Sequence, residues 1–317
     1  LFELGATLEA IAWYRDKRRE MPDEWRLFSE FPSTAAEAFQ SSGRRVFRIP
    51  YVNNARRDCL PPTFIGDIKE SIDNGKSTTQ FEPLAPGERG DENTLSVWLM
   101  PEKDTLRDRY IVAVDVGGTS DKADYSCILV ADRQSMPEGG VPEIAACWHG
   151  HIEHDQLAWK AVEIARAYNN ALLVIEANTL ETEGTEGNNF EYILNEIASK
   201  YSNLYCRTSQ IEIKQGRPRR WGFHTNSSTK PMVINFLVKA LRDGLYIERS
   251  IETTYELDLY EFKENGKEMG AVEGNHDDRV MATAILIWVC YNHPLPSAIC
   301  KPAGHTKKTR IISEASL

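Results

Sequence analysis

Apolar residues in this chain follow two rhythms, and the change between them marks out the elements. Residues 8–20 (LEAIAWYRDKRRE) carry helical spacing, with Thr7 placed to cap the first turn. The next stretch, EWRLFSEFPSTAAEAFQSSG, holds a Pro-Ser-Thr turn and predicts a short helix stopped by Gly43. This opening block has little apolar material of its own and should dock on something else. Residues 46–105 are rich in Pro, Gly, Asn and Asp. They read as a loop-rich connector with short strands at 81–84 and 95–100.

From Tyr110 the pattern sharpens. Strands over 110–115, 125–131 and 143–152, separated by a Gly-rich turn and by Pro137-Glu138-Gly139-Gly140, predict an antiparallel meander. Asp155 is placed to cap a helix over 156–169, whose Leu157, Ala158, Ala161, Ile164, Ala165 and Tyr168 follow helical spacing. A strand at 171–177 follows, and a helix crossing between two strands makes them parallel. Beyond it come helix 188–200, strand 204–209, helix 229–243, strand 245–248, a segment 252–262, a hairpin around Asn265-Gly266 and a last helix over 276–291. The expected class is α/β: a mixed sheet, a three-strand meander plus parallel strands, flanked by helices. The tail 293–317, basic in its middle, is expected to be flexible.

Composition narrows the function classes. The 317 residues are 41% hydrophobic and 26% charged, which excludes wholesale disorder. A net charge of −10 argues against a protein that coats nucleic acid, but not against an acidic catalytic centre with local basic patches. The cysteines are scattered without a CxxC pair, as expected of buried thiols in a reducing compartment. The apolar run Val280–Tyr291 is too short to span a bilayer, so no membrane role is expected. Leu1 in place of a methionine suggests a fragment of a longer chain.

The chemistry lies in carboxylates at element ends. Asp115 closes one apolar strand, Glu176 closes another, and Asp277 and Asp278 open the last helix. If strands 110–115 and 171–177 pair in parallel, Asp115 and Glu176 lie side by side at the carboxyl edge, where open α/β sheets put their ligands. Clustered acids repel unless cations are bound, and Mg²⁺ and Mn²⁺ prefer carboxylate oxygens, so the pattern points to metal-dependent phosphodiester hydrolysis. Each acid also has a plainer reading. Asp115 suits a turn before Gly117-Gly118, Glu176 suits an ion pair, and Asp277 and Asp278 suit a helix N-terminus with Asn275 as cap. Asp277 and Asp124 are outer candidates, and His276 is a candidate to orient an acid or a water, with a capping histidine as the plainer reading.

In this order, strand-Asp115, strand-Glu176 and the helix HDDRVMA at 276–282 resemble the nuclease domain of the large terminase subunit of tailed bacteriophages. EFPSTAAEAF at 30–39, DVGGTSDKADYS at 115–126 and WGFHTNSSTKP at 221–231 agree with that family. The resemblance covers nearly the whole chain and is strongest from 110 to 291. It implies a ribonuclease H-like fold and an endonuclease that cuts concatemeric double-stranded phage DNA with two Mg²⁺ or Mn²⁺ ions. Carried over, the ligands are Asp115, Glu176 and one of Asp277 and Asp278, with Asp278 favoured. It further implies that residues 1–45 are the end of an ATPase motor domain otherwise missing from this chain, with 46–105 as connector and 106–292 as nuclease domain. Portal protein and small terminase subunit become the expected partners, and the host cytoplasm the expected place.

DNA contacts are expected in 207–230, where Arg207, Lys214, Arg217, Arg219, Arg220 and Lys230 face the single acid Glu212, and Asn226 adds a polar donor. A solvated basic loop is the plainer reading. Asn74-Gly75-Lys76-Ser77-Thr78 ends like a phosphate-binding loop but lacks its first glycine. His149, His151 and His154 mimic a zinc motif with Glu153 in place of an aspartate. Asp115-Val-Gly-Gly-Thr119 resembles the first phosphate loop of actin-like sugar kinases, whose second loop is not found. A catalytically silent docking module of the motor is the non-enzymatic alternative.

Overall fold

The run Tyr110–Asp115 is apolar along its whole length because both faces of that strand are covered. In the computed structural model, Ile111 and Ala113 point into one core while Tyr110, Val112 and Val114 point into another. The sheet therefore lies between two helical layers. The structure describes residues 5–21, 27, 30–33, 45–73, 76–85, 90, 93–103, 106–117, 125–177, 187–263 and 268–298.

In chain order the elements are α1 (Leu8–Glu20), α2 (Ile49–Arg56), β1 (Phe64–Asp73), β2 (Lys76–Pro83), β3 (Thr94–Val97), β4 (Leu106–Arg107), β5 (Tyr110–Asp115), β6 (Ser126–Asp132) and β7 (Glu143–Gly150). They continue with α3 (His154–Ala167), β8 (Leu172–Ile175), α4 (Gly187–Lys200), α5 (Gln210–Lys214), α6 (Thr229–Asp243), α7 (Ile251–Asp258), β9 (Tyr260–Phe262), β10 (Met269–Ala271), α8 (Asp278–Asn292) and β11 (Ser297–Ala298).

Among the described residues a seven-stranded sheet runs β2-β1-β3-β7-β6-β5-β8. Every pairing in it is antiparallel except β5 with β8. Strands β5 to β7 are the expected meander, and β8, reached through the crossover helix α3, is the expected parallel neighbour. This is the mixed sheet, a meander plus a parallel strand, that the sequence pattern predicts. Helix α3 covers one face with Leu157, Ala161, Ile164 and Ala165, and α8 covers the other with Val280, Ala284 and Ile287.

Several expectations need correction. In the segment read as loop-rich, the strands expected at 81–84 and 95–100 fall on the end of β2 and on β3, but α2, β1 and most of β2 were not foreseen, and all three strands extend the same sheet. Its polar residues misled the reading, because the β1–β2 hairpin lies at the sheet's edge and most of its length pairs only with itself. Asp155 is not the cap of α3: Glu153 holds that position, and Asp155 in the first turn accepts from the Gln156 amide at 2.8 Å. Asp277, rather than Asn275, precedes α8. The strands foreseen at 204–209 and 245–248 shrink to isolated pairings at Leu204, Cys206 and Ile247. Helix α1 carries its Thr7 cap and buries no side chain. The helix foreseen before Gly43, Asn74-Gly75, Gly118 to Asp124, the Asn265-Gly266 turn and the tail from 299 lie outside the described residues.

Candidate metal centre and its basic flank

The parallel register settles where two of the acids meet. Val114 pairs with Ile175, so Asp115 and Glu176 stand one step further along adjacent strands, and the Glu176 amide donates to the Val114 carbonyl at 3.0 Å. On its other side Glu176 pairs with Phe223: the Phe223 amide donates to the Ile175 carbonyl and the Ala177 amide to the Phe223 carbonyl, both at 2.7 Å. Glu176 is thus fixed between two neighbours at the carboxyl rim. Its side chain is 7% exposed and that of Asp115 8%.

Helix α8 brings the other two acids. Its apolar body packs beneath the sheet, and its first turn is anchored by Glu256 of α7. The Glu256 carboxylate accepts from the Arg279 amide at 2.9 Å, the Val280 amide at 3.3 Å and the Arg279 guanidinium at 2.6 Å. It thereby satisfies amide groups that a helix start leaves open. Asp278 is held here at 2% exposure, with its Oδ2 3.8 Å from His149 Nε2. Asp277 is more open and lies 3.8 Å from the Lys230 ammonium.

Electrostatics show that the four acids share one neighbourhood. Burial pushes the Asp115 carboxyl well above the usual carboxylate range, and the charge and hydrogen bond of Glu176 push it further, followed by Asp278 and Asp277. Glu256 is pushed up to about 7, mainly by burial and against the pull of Arg279. Among the described residues no three His, Cys, Asp or Glu side chains are drawn in as a ready-made cage. The donor set fits a hard divalent ion through its chemistry: carboxylate oxygens crowded until one holds its proton are what such a cation would relieve.

An aromatic group that sequence reasoning missed flanks the acids. Tyr125 stacks on His149 (4.6 Å between ring centroids), lies tilted against His151 (3.9 Å) and meets His276 edge-on at 5.0 Å. The zinc-like triplet is split by this arrangement, because His154 begins α3 and hydrogen-bonds the Gly117 carbonyl at 3.0 Å.

The basic stretch divides into different roles. Arg217 is ion-paired with Glu212 at 2.7 Å, and Arg219 lies over the Trp221 ring at 5.7 Å. Lys214 ends the short helix α5 and is exposed. Asn226 is engaged locally: its Oδ1 accepts from the Ser228 amide at 2.8 Å and the Thr229 amide at 2.9 Å, shaping the start of α6. Arg220 is exposed and its backbone amide donates to Thr208 Oγ1 at 2.8 Å, while Lys230 is the one that reaches the acids.

No family model and no curated protein matches the chain by sequence. By structure it is similar to the magnesium-bound large terminase nuclease of thermophilic phage G20c, at 15% identity and a TM-score of 0.46, over 77% of this chain and 97% of that one. It is also similar to the manganese-soaked, inhibitor-bound terminase nuclease domain of human cytomegalovirus, at 9% identity and a TM-score of 0.36, over 59% of this chain and 84% of that one. The large terminase of bacteriophage HK97 is similar at 14% identity and a TM-score of 0.29, over 60% of this chain and 40% of that one. In fold, the chain is similar to the nuclease domains of large terminases.

Proposed function

We propose that this chain is the nuclease part of a DNA-packaging terminase, a metal-dependent endonuclease that cuts concatemeric double-stranded DNA. The observation that carries this reading is the convergence of Asp115, Glu176, Asp278 and Asp277 on one rim, acid against acid. Asp115 would be the shared ligand of the bound ions, with Glu176 and Asp278 as the further acids that would hold them. Asp277 is the outer acid and also holds Lys230, whose ammonium is then near a phosphate drawn to the centre. Two bound Mg²⁺ or Mn²⁺ ions would supply the Lewis acidity that activates water and stabilises the leaving 3′ oxygen. Burial and the charge of Glu176 both favour the protonated form of Asp115, and a bound cation would oppose them.

In this reading residues 1–45 are the end of the ATPase motor, the nuclease body of 106–292 takes three further sheet strands from 64–97 of the segment before it, and 293–317 form a tail. Portal protein and small terminase subunit are the partners, in the host cytoplasm. Arg219, Arg220, Lys214 and Lys230 contact phosphates, while Arg217 and Asn226 serve mainly their internal bonds.

Plasmid nicking tests the reading. Supercoiled DNA should be cut with Mg²⁺ or Mn²⁺, left whole in EDTA, and left whole by Asp115→Ala. Equal cutting by that variant, or in EDTA, would reject it, and sugar-dependent ATP consumption would favour a kinase instead.

A further inference from the structure

A cation follows the two helix acids directly: Arg279 comes next after Asp277 and Asp278 in the chain. A guanidinium in that place could pair with an acid of the rim and cancel the crowding of negative charge on which metal capture depends. Its partner is instead Glu256 of α7. Arg279 Nη1 donates to Glu256 Oε1 at 2.6 Å, and Glu256 Oε2 accepts from the Arg279 amide at 2.9 Å and the Val280 amide at 3.3 Å. One carboxylate thus grips both the side chain and the backbone of Arg279, and both side chains are largely enclosed.

The guanidinium is close to the rim without serving it. Its charge acts on the thiols of Cys147 and Cys127. Cys127 is the cross-strand partner of Asp115, and by strand alternation Asp115 shares the sheet face of Ile111 and Ala113, the face that α8 covers. Arg279 also lines a cavity of about 250 Å³ whose wall includes His149, and His149 Nε2 lies 3.8 Å from Asp278 Oδ2. The cavity gives the guanidinium room to turn toward Asp278 if Glu256 releases it. Burial pushes Glu256 up to about 7, so its charge is kept at a cost. A neutral acceptor would satisfy the two amides without that cost, which leaves the hold on Arg279 as what the charge is for.

We infer that Glu256 is a positioning residue of the metal centre. It sequesters Arg279, and so keeps that charge from taking the place of a divalent cation at Asp278. The inference rests on the metal-dependent reading and adds to it what holds the neighbouring arginine off the rim.

Mn²⁺ binding to the full chain, with unbound Mn²⁺ followed by its electron paramagnetic resonance signal, tests this without any turnover. Glu256→Gln keeps an oxygen for the two amides but drops the charge that holds Arg279. It should weaken Mn²⁺ binding by about tenfold or more, the range seen when a group supporting a metal ligand is lost. Arg279→Met alone should stay within about threefold of wild type, and adding it to Glu256→Gln should restore binding to that same margin. A purely mechanical cap would give no such rescue, so a double variant as weak as Glu256→Gln would overturn sequestration. So would full affinity in Glu256→Gln, the result if Arg279 simply passes to Glu252 on the same cavity wall. Much tighter binding by Arg279→Met would also overturn it, because the arginine would then already be neutralising the rim, and this result stands even if Glu256→Gln does not fold. Wild type that takes up no Mn²⁺ would overturn the metal-dependent reading itself, so the two failures are distinct.

Discussion

The two ends of the β5–β6 pair bury charge in opposite ways. At the amino end of β5, Arg109 donates to Asp132 twice, Nε to Oδ1 at 3.0 Å and Nη2 to Oδ2 at 2.7 Å, with both side chains almost fully enclosed. At the carboxyl end, Asp115 is as deeply buried but meets Glu176, Asp278 and Asp277. The first end is bidentate and compensated, with Arg109 also reaching the exposed Glu102 at 3.1 Å, an arrangement that needs nothing from outside. The second is self-repelling and gains from a cation. Equal burial therefore carries opposite meanings, and the sign of the neighbours separates scaffold from site.

The largest effect should come from breaking the compensated end. Arg109→Ala leaves Asp132 buried without its guanidinium and should cost about 3–5 kcal/mol in denaturant unfolding. A loss below about 1 kcal/mol would mean that water reaches Asp132 and that the contrast is false. The acidic end should respond with the opposite sign. Asp115→Asn should raise the melting temperature in EDTA by about 2–4 °C, for roughly 1 kcal/mol of relieved repulsion. The same variant should lose the stabilisation that Mn²⁺ gives the wild type. A lower melting temperature in EDTA would show that the acids are not mutually repulsive.

A pH scan sharpens the comparison further. Asp115 is raised by burial and by Glu176, while Glu248 and Glu256 are each pushed up to about 7, chiefly by burial. An acid with a raised folded pKa binds more protons folded than unfolded between the two values. Metal-free stability should therefore fall as pH rises from the ordinary carboxylate range through about 7. Glu248→Gln should flatten that decline, and Mn²⁺ should oppose it by favouring deprotonated ligands. A melting temperature in EDTA that does not change between pH 5 and 8 would remove the argument. The smallest effect belongs to Arg217→Ala, an exposed pair with Glu212, which should change unfolding free energy by no more than about 0.5 kcal/mol.

What could be read in the sequence was set by how completely an element is buried. β5, β6 and β8 are enclosed on both faces and so announce themselves as apolar runs, and α6 was legible over its whole length from helical spacing. β1 (FIGDIKESID) and β2 (KSTTQFEP) are mostly polar, because an edge hairpin needs few buried side chains, and their turn-forming neighbours suggested loop. The acids were legible for a similar reason: a carboxylate ending an apolar run is conspicuous. Tyr125 and Glu256 were not, nor was the stacking of Tyr125 on His149, since cross-strand pairing and the docking of α7 on α8 place them, and no local pattern encodes either. Asn226 did carry a usable signal. An Asn-Ser-Ser-Thr stretch before a helix marks a turn and cap, and that is how the side chain is engaged.

The crossover that makes β8 parallel to β5 has a kinetic consequence. Strand-to-strand contacts this distant in the chain form only after helix α3 has folded back across the sheet, a slow step compared with hairpin closure. Until that closure Asp115 and Glu176 are ordinary solvated side chains on separate pieces of polypeptide, so a chain still emerging from synthesis has no assembled acidic rim.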